Sequence, residues 1–277
     1  MNTLTTVDQK LKKANDLALN QPNLSADAST LKVGVDLGTS SIVLVVVDQD
    51  DEPIYVGFKE ANVIRDGLVV NYLEAVKIVK QLKQEAENSL HCELTHASGA
   101  IPPGTIGNNL KVVSNVIEAA EMEVVHIFDE PTAAANVLNV NNDVVVDVGG
   151  GTTGVSVFNQ GEIVYSGDEA SGGTQMTLVL SGYLGVPSAE GEKLKRDQTR
   201  ESDNFEIIRP VIEKVATIAQ NIIAQSHQKE IEQIYLVGGA VNFKRSPEVF
   251  EKLLGIPTIH PQYAQFVTPL GIAIGSY

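Results

Sequence analysis

The sequence predicts an α/β protein of two similar halves, each a mixed β-sheet flanked by helices. The stretch VGVDLGTSSIVLVVVD, residues 33–48, places an Asp and a polar turn between two apolar, β-branched runs, which indicates a buried hairpin. The stretch VVVDVGGGTTGVSVF, residues 144–158, repeats the arrangement. Because helical patterns alternate with further strands after each hairpin, each sheet should combine antiparallel and parallel pairs.

Composition and charge narrow the class of protein. A chain of 277 residues can bury one large core or two modest ones, and 43% hydrophobic residues suit a soluble α/β protein. No apolar run approaches the ~20 residues that span a bilayer, and no signal-peptide pattern occurs, so we expect a cytoplasmic protein. A formal net charge of -15 disfavours nucleic acid and membrane surfaces as partners. The single Cys92 excludes an internal disulfide and fits no zinc-site spacing.

The first thirty residues are predicted to form a segment of their own. Apolar residues recur at helical spacing before a polar stretch, NQPNLSADAST, that is typical of a linker. The helix would either pack weakly on the body or act as a detachable docking helix. Its apolar residues are Leu4, Val7, Leu11, Ala14 and Ala18.

Residues 31–141, joined by the C-terminal residues 268–277, form the predicted first domain. After the hairpin, an amphipathic helix is expected over 71–90, because its apolar residues share one face. A short strand then leads to Pro102 and Pro103. A helix over 109–122, a strand over 123–128 and a helix with Pro131 in its first turn complete this half.

Residues 142–267 form the predicted second domain, which begins with the strand at 143–148. Its hairpin turns near 159–161, and a glycine turn follows before a long helix over 205–226. The run EQIYLVGG, residues 232–239, is typical of a buried strand. A helix entered near Ser246 and a short terminal helix, TPLGIAIGSY, close the chain.

Asp36 and Asp147 stand at equivalent places, each at the end of an apolar strand. A buried carboxylate is costly without a compensating cation or donor, so two of them suggest a shared ligand. The turns that follow present consecutive backbone N–H groups with little side-chain bulk, which suits phosphate oxygens. Together these features predict a hydrated Mg²⁺ that bridges a polyphosphate. The turn residues are Gly38, Thr39, Ser40, Gly149, Gly150, Gly151 and Thr152.

Five motifs, in order over residues 31–277, resemble those of the actin-like ATPase superfamily. VGVDLGTSS resembles its first phosphate motif, DEPTAAA its first connecting motif and VVDVGGGTTGVSVF its second phosphate motif. YLVGGAVNF resembles the adenosine motif, and TPLGIAIG the second connecting motif. The resemblance, to DnaK-type chaperones and MreB-type filament proteins, implies two ribonuclease-H-like domains that enclose ATP or ADP.

The resemblance also implies roles for individual residues. Asp36 and Asp147 would order Mg²⁺ and its waters, and Glu130 would position or activate the attacking water. The two turns would hold phosphates, whereas Glu192 and Lys195 either contact adenosine or belong to a solvated charged face. The other nucleotide-binding candidates are Gly172, Gly173, Gly238, Gly239 and Ala240.

The chain departs from the chaperone pattern in three ways. The insertions that form peripheral subdomains are reduced or absent, no counterpart of the phosphate-contacting Lys is found, and we expect no peptide-gripping domain. The short form resembles the members associated with ethanolamine utilisation and bacterial microcompartments. This implies a chaperone-like nucleotide switch with slow ATP hydrolysis, which acts on a protein partner such as a shell protein or lumen enzyme.

Three alternatives remain open at this stage. A filament-forming ATPase like MreB has precedent in the superfamily, but its longitudinal contacts use the peripheral subdomains that are reduced or absent here. A small-molecule kinase would need an acceptor pocket, for which this compact chain has little room. An adaptor like the pilus-assembly protein PilM would bind a peptide tail in a groove between domains.

Overall fold

The computed structural model describes residues 3–61, 63–65, 68–104 and 108–276. In chain order, its strands are β1 (Lys32–Leu37), β2 (Ser41–Val47), β3 (Pro53–Glu60), β4 (Ile64–Arg65), β5 (Leu68–Val69), β6 (His96–Ile101), β7 (Glu123–Asp129), β8 (Asp143–Val148), β9 (Thr153–Asn159), β10 (Glu162–Glu169), β11 (Gln233–Val237) and β12 (Thr258–Ile259). Its α-helices are α1 (Thr3–Leu19), α2 (Tyr72–Leu90), α3 (Asn108–Ala119), α4 (Glu130–Leu138), α5 (Gly173–Leu184), α6 (Ser188–Arg196), α7 (Glu201–Ser226), α8 (Ser246–Leu254) and α9 (Val267–Ile274).

Two five-stranded sheets repeat one topology. The first has the strand order β3-β2-β1-β6-β7, and the second has the order β10-β9-β8-β11-β12. In each sheet, three strands joined by tight turns pair antiparallel, and the two added after helical crossovers pair parallel. The predicted fold class is confirmed: the chain forms two mixed-sheet domains flanked by helices.

Each sheet is buried on both faces, which explains the continuous apolar runs in its central strands. In β2, alternate side chains enter two different cores. One core lies under α2 and α3. The other lies between the sheets and includes residues of β8 and β11. The side chains directed to the α2 side are Ile42, Leu44 and Val46, and those directed between the sheets are Val43, Val45 and Val47.

Helices α4 and α9 cross between the sheets and touch backbone to backbone. Gly271 of α9 lies against the carbonyl group of Ala133 in α4, where any Cβ would clash. A Cβ at Gly34 of β1 would lie 2.5 Å from the amide nitrogen of Ala273 in α9. Glycine is therefore required at both positions, and α9 packs without intervening side chains on α4 and on the first sheet.

The expectation of a weakly packed or detachable N-terminal helix is wrong. Leu11 and Ala14 of α1 are fully buried in the core between the sheets. The segment that follows, predicted as a linker, is also held, because the amides of Leu24 and Ala26 donate to the carbonyl groups of Ser89 and Leu90 over 3.0 Å each. The helix packs because it lies along β3 and its apolar stripe enters the core between the sheets, to which Val56 of β3 also belongs.

Helix α1 also makes polar contacts at both of its edges. Lys13 Nζ pairs with Glu52 at 2.9 Å beside β3, and Asp8 accepts a 3.0 Å hydrogen bond from the amide of Gln262. Across the described residues, no helix is long and apolar enough to cross a membrane.

Candidate functional site

The two Asp-bearing hairpins meet at a cleft of about 670 Å³ between the sheets. Their turns close with the same hydrogen bond, from the amide of Gly38 to the carbonyl of Ser41 (2.9 Å) and from the amide of Gly149 to the carbonyl of Thr152 (3.0 Å). The structure therefore brings the two predicted phosphate turns together as equivalent elements. The predicted site residues that line the cleft are Asp36, Gly38, Thr39, Ser40, Glu130, Asp147, Gly149, Gly150, Thr152, Gly173, Glu192, Lys195, Gly238, Gly239 and Ala240.

The glycine run of the second turn allows the two turns to face each other closely. A Cβ at Gly150 would clash with the hydroxyl of Ser40, and one at Gly151 would lie 3.0 Å from Thr39 Oγ1. The small residues thus leave room for the hydroxyl-bearing side chains of the first turn.

Gly151 and Gly172 are not among the residues that line the cleft. Gly172 lies against the carbonyl groups of the second turn, and a Cβ there would be 2.5 Å from the Gly149 oxygen. The amides of Gly173 and Thr174 donate to the carbonyl groups of Gly149 and Gly150, at 3.0 and 2.7 Å. The predicted Gly172-Gly173 turn therefore packs against the second predicted phosphate turn, and Gly173 also lines the cleft.

Three carboxylates converge on the cleft from three elements: Asp36 near the end of β1, Asp147 in β8 and Glu130 at the start of α4. Burial, with the charge of Asp147, raises the pKa of Asp36 to about 7. Burial raises the pKa of Glu130 well above its usual range, and both aspartates add to the effect. The site therefore concentrates negative charge that a cation would relieve.

A fourth carboxylate, Asp168, was missed in the sequence. Register places Asp147, Gly154 and Asp168 side by side across β8, β9 and β10, so both carboxylates lie on one face with a glycine between them. Burial raises the pKa of Asp168 to about 6, although a hydrogen bond from Thr152 opposes the shift. A Cβ at Gly154 would meet Pro103 and Pro131 and not Asp168, so this glycine gave no local signal for the aspartate.

Asp147 is held from two sides. Thr268 of α9 donates a 2.6 Å hydrogen bond to Asp147 Oδ2, and both side chains are buried. On the other side lies Gly238, whose φ of +91° favours glycine and where a Cβ would be 2.5 Å from Asp147 Oδ1. Burial raises the pKa of Asp147, and the hydroxyl of Thr268 opposes that shift. The sequence placed Thr268 in a connecting motif but assigned it no role.

Glu192 and Lys195 of α6 also line the cleft. Lys195 Nζ donates to Glu192 (2.7 Å), to the Thr177 hydroxyl (2.9 Å) and to the Gly173 carbonyl (3.0 Å). Its side chain is only 9% exposed, and burial lowers its pKa although Glu192 opposes the shift. The alternative of a solvated charged face is therefore wrong for Lys195.

The carboxylates fit a hydrated magnesium ion better than a directly ligated metal. Among the residues that the structure describes, no three His, Cys, Asp or Glu side chains could hold one metal ion together. Mg²⁺ commonly keeps several waters and takes one or two carboxylates plus phosphate oxygens. Asp36 and Asp147, with pKa values raised by burial, match that requirement because a nearby cation would stabilise their charged forms.

We expect the metal-free protein to lose stability as pH rises from about 4 to 7. In this range, Asp36 ionises readily in the unfolded chain but keeps its proton in the folded one, whose pKa is about 7. Folding therefore becomes less favourable as pH rises through that window. Thermal unfolding in EDTA at several pH values should show this slope of stability against pH, and Asp36→Asn should reduce it.

Asp50→Asn, at an exposed position, is the matched control and should keep the slope of the natural protein. An equal slope in Asp36→Asn and in the natural protein would contradict the raised pKa of Asp36. Millimolar Mg²⁺ should restore stability mainly at the high end of the pH range, because it favours the ionised carboxylates.

The chain is similar to ethanolamine utilization proteins along nearly all of its length. It is 39% identical to "Ethanolamine utilization protein EutJ" of Salmonella typhimurium over 266 residues, which cover 95% of this chain and 91% of that protein. The crystal structure of EutJ from Carboxydothermus hydrogenoformans has a TM-score of 0.92 at 41% identity, with 99% of both chains covered.

More distant similarities concern part of the chain or the fold. The family model described as "Type IV pilus assembly protein PilM" matches residues 112–267, more than half of the chain. The crystal structure of MreB5 of Spiroplasma citri bound to AMPPNP has a TM-score of 0.71 at 14% identity, covering 88% of this chain and 95% of that one. At that identity the likeness shows the fold alone, which is that of the actin-like ATPases.

Proposed function

The chain belongs to the EutJ family, and more broadly to the PilM-like group of the actin-like ATPase superfamily; from this premise we propose that it binds ATP and ADP with Mg²⁺ and works as a two-domain switch. It would act as an accessory or chaperone-like protein in ethanolamine utilisation or a related bacterial microcompartment. The relatives named for ethanolamine utilization support this setting. The MreB5 structure with AMPPNP, a nucleotide analogue, supports the choice of ligand.

One observation carries the nucleotide proposal: two equivalent Asp-bearing turns face each other across one cleft. Backbone amides in such turns suit phosphate oxygens, and each domain contributes one turn. A ligand that contacts both turns binds the closed arrangement better than an open one. Nucleotide would therefore shift the population of the two domain arrangements.

Asp36 and Asp147 would hold the Mg²⁺ through waters, and the turn hydroxyls would complete the phosphate contacts. When bound, the cation supplies positive charge that offsets the charge of the phosphates. Glu130, at the start of α4, faces the same cleft and would accept a proton from the attacking water. A raised pKa suits that role because the carboxylate then takes up a proton readily.

The lining of the cleft favours slow ATP hydrolysis over rapid hydrolysis. Its described basic lining residues, Lys195 and Arg196, lie on α6, and both pair with Glu192 at 2.7 Å. Neither lies on the phosphate turns, and the sequence offers no counterpart of the phosphate-contacting Lys of chaperone relatives, so we expect less stabilisation of the charge on a leaving phosphate. We therefore expect the function to depend on nucleotide binding and the change of domain arrangement more than on rapid ATP hydrolysis.

Asp147→Asn should weaken Mg²⁺-dependent nucleotide affinity by roughly 10- to 100-fold, because an amide lacks the charge that orders the hydrated cation. Calorimetry with ATP in the presence and absence of Mg²⁺ measures the effect, and metal-free binding serves as the internal control. Unchanged Mg-ATP affinity in this variant would show that Asp147 has another role.

Affinity capture tests the proposed partner class. The tagged protein, loaded with ADP or with a slowly hydrolysed ATP analogue, is recovered from cells grown on ethanolamine. A shell or lumen protein whose yield changes with the nucleotide supports the switch, because a switch must bind its partner differently in its two states. Equal yields with both nucleotides contradict it.

The match to the PilM model favours a second candidate, an adaptor that holds a peptide tail without nucleotide turnover. Such an adaptor should capture its partner equally with or without nucleotide. A filament-forming ATPase is distinguished by ATP-dependent pelleting of the purified chain. Sedimentation and phosphate release, measured on the same sample, therefore separate the three functions.

A further inference from the structure

The hydrogen bond between Thr268 and Asp147 joins elements that are distant in the chain. The two residues are 121 positions apart, and the Thr268 hydroxyl donates to Asp147 Oδ2 over 2.6 Å in a buried setting. Asp147 belongs to β8 of the second sheet, whereas Thr268 is the second residue of α9. The bond therefore ties a carboxylate of the cleft to the helix that crosses between the sheets.

Helix α9 is packed rigidly on the first domain. A Cβ at Gly34 of β1 would lie 2.9 Å from the Pro269 carbonyl oxygen, so strand and helix touch through their backbones. Asn136 of α4 donates a 3.1 Å hydrogen bond to the Gly271 carbonyl. Because no flexible side chains separate these elements, a displacement of α9 carries β1 and α4 with it.

Helix α4 begins at Glu130, and β1 carries Asp36. A displacement of α9 thus moves Asp36 and Glu130, the two carboxylates that converge with Asp147 on the cleft. The Asp147 side chain itself has little freedom, since Thr268 holds Oδ2 and the backbone at Gly238 lies so near that a Cβ there would be 2.5 Å from Oδ1. Movement of Asp147 would therefore be passed to α9 and not absorbed by a rotation of its side chain.

We propose that Thr268 is a positioning residue that couples the occupancy of the cleft at Asp147 to the arrangement of α9 and α4. This inference rests on the proposed function, because it assumes that Mg²⁺ with nucleotide occupies the cleft. The coupling is reciprocal: the arrangement of α9 also sets how well Asp147 serves the cation.

Three variants of Thr268 isolate the hydroxyl. Thr268→Val keeps the shape and removes the donor, Thr268→Ala leaves space for a water that satisfies Asp147 without reaching α9, and Thr268→Ser restores the donor. Thr217→Val, at an exposed helical site on α7, is the matched control. Thermal unfolding shows which variants are folded. If Thr268→Val is not folded, Thr268→Ala is used in its place.

Two measurements are made on each folded variant. Calorimetry with ADP, with and without Mg²⁺, gives the enhancement of affinity by the metal. Hydrogen exchange of the peptides that cover α4 and α9 gives the protection that Mg-ADP induces. We expect Thr268→Val and Thr268→Ala to reduce the metal enhancement roughly ten-fold and to abolish the induced protection, whereas Thr268→Ser and the Thr217→Val control retain both.

The outcomes separate the inference from the function on which it rests. If Thr268→Val and Thr268→Ala keep the induced protection of α4 and α9, the coupling role is wrong even where metal enhancement falls. If the natural protein binds nucleotide and all variants behave alike, the role is also wrong while the proposed function stands. Absence of Mg²⁺-dependent nucleotide binding in the natural protein overturns both.

Discussion

Replacing Glu130 with Gln should lower the rate of ATP hydrolysis by about 10²- to 10⁴-fold, the usual contribution of a positioned acid or base. Glu130 begins α4 beside Asp36 and Asp147, and its pKa is raised by burial and by their charges. Gln keeps the shape and hydrogen-bonding capacity of the side chain but cannot accept a proton. Nucleotide affinity should therefore change by only about two-fold.

Single-turnover measurements are suited to this test, because the expected basal rate is low. Glu123→Gln, an exposed change on the strand that leads to α4, is the matched control and should hydrolyse ATP at the natural rate. Retention of full turnover by Glu130→Gln, with normal ATP binding, would remove Glu130 from the reaction. Equal loss of binding and turnover would instead assign it to nucleotide affinity.

Leu11→Ala should destabilise the protein by about 2–5 kcal/mol, as expected when a fully buried leucine leaves a cavity. Leu11 has no exposed surface and packs in the core between the sheets. For a chain of this size the loss corresponds to a fall in melting temperature of roughly 5–15 °C. Lys12→Ala, on the exposed face of the same helix, should change it little.

Removing residues 1–28 should have a larger effect, because it uncovers β3 and the part of the core between the sheets that α1 closes. We therefore expect the truncated chain to aggregate or unfold, and not to remain a stable nucleotide-binding body. Circular dichroism and size-exclusion chromatography measure this directly. A monomeric truncated chain with the natural melting temperature would show that α1 contributes nothing to the core.

The sequence by itself determined the fold class and most of the cleft. Two Asp-bearing hairpins, read from local apolar runs and glycine turns, predicted two mixed sheets and the residues that meet between them, including Asp36, Glu130 and Asp147. These signals are local: a strand's apolar run and a turn's glycines follow from the backbone conformation of a few neighbouring residues. The roles of those residues in binding and hydrolysis remain predictions.

Only the tertiary structure decided what covers each apolar face. The spacing of Leu11 and Ala14 predicts a helix with an apolar stripe, but periodicity does not say whether the stripe meets a sheet or stays weakly held. Likewise, TPLGIAIG predicts a helix, whereas the bond from Thr268 to Asp147 depends on packing between residues 121 positions apart. Such contacts are set by the assembly of whole elements, which local patterns do not encode.

The fourth carboxylate shows the physical reason most directly. Strands β9 and β10 begin their pairing with Glu162 opposite Asn159, but an irregularity between Ile163 and Tyr165 shifts the register by one residue. A one-residue shift moves every later side chain to the other face of the sheet, so it brings Asp168 level with Gly154 and onto the face of Asp147. Nothing in the order of residues announces that bulge, and it alone places Asp168 beside Asp147.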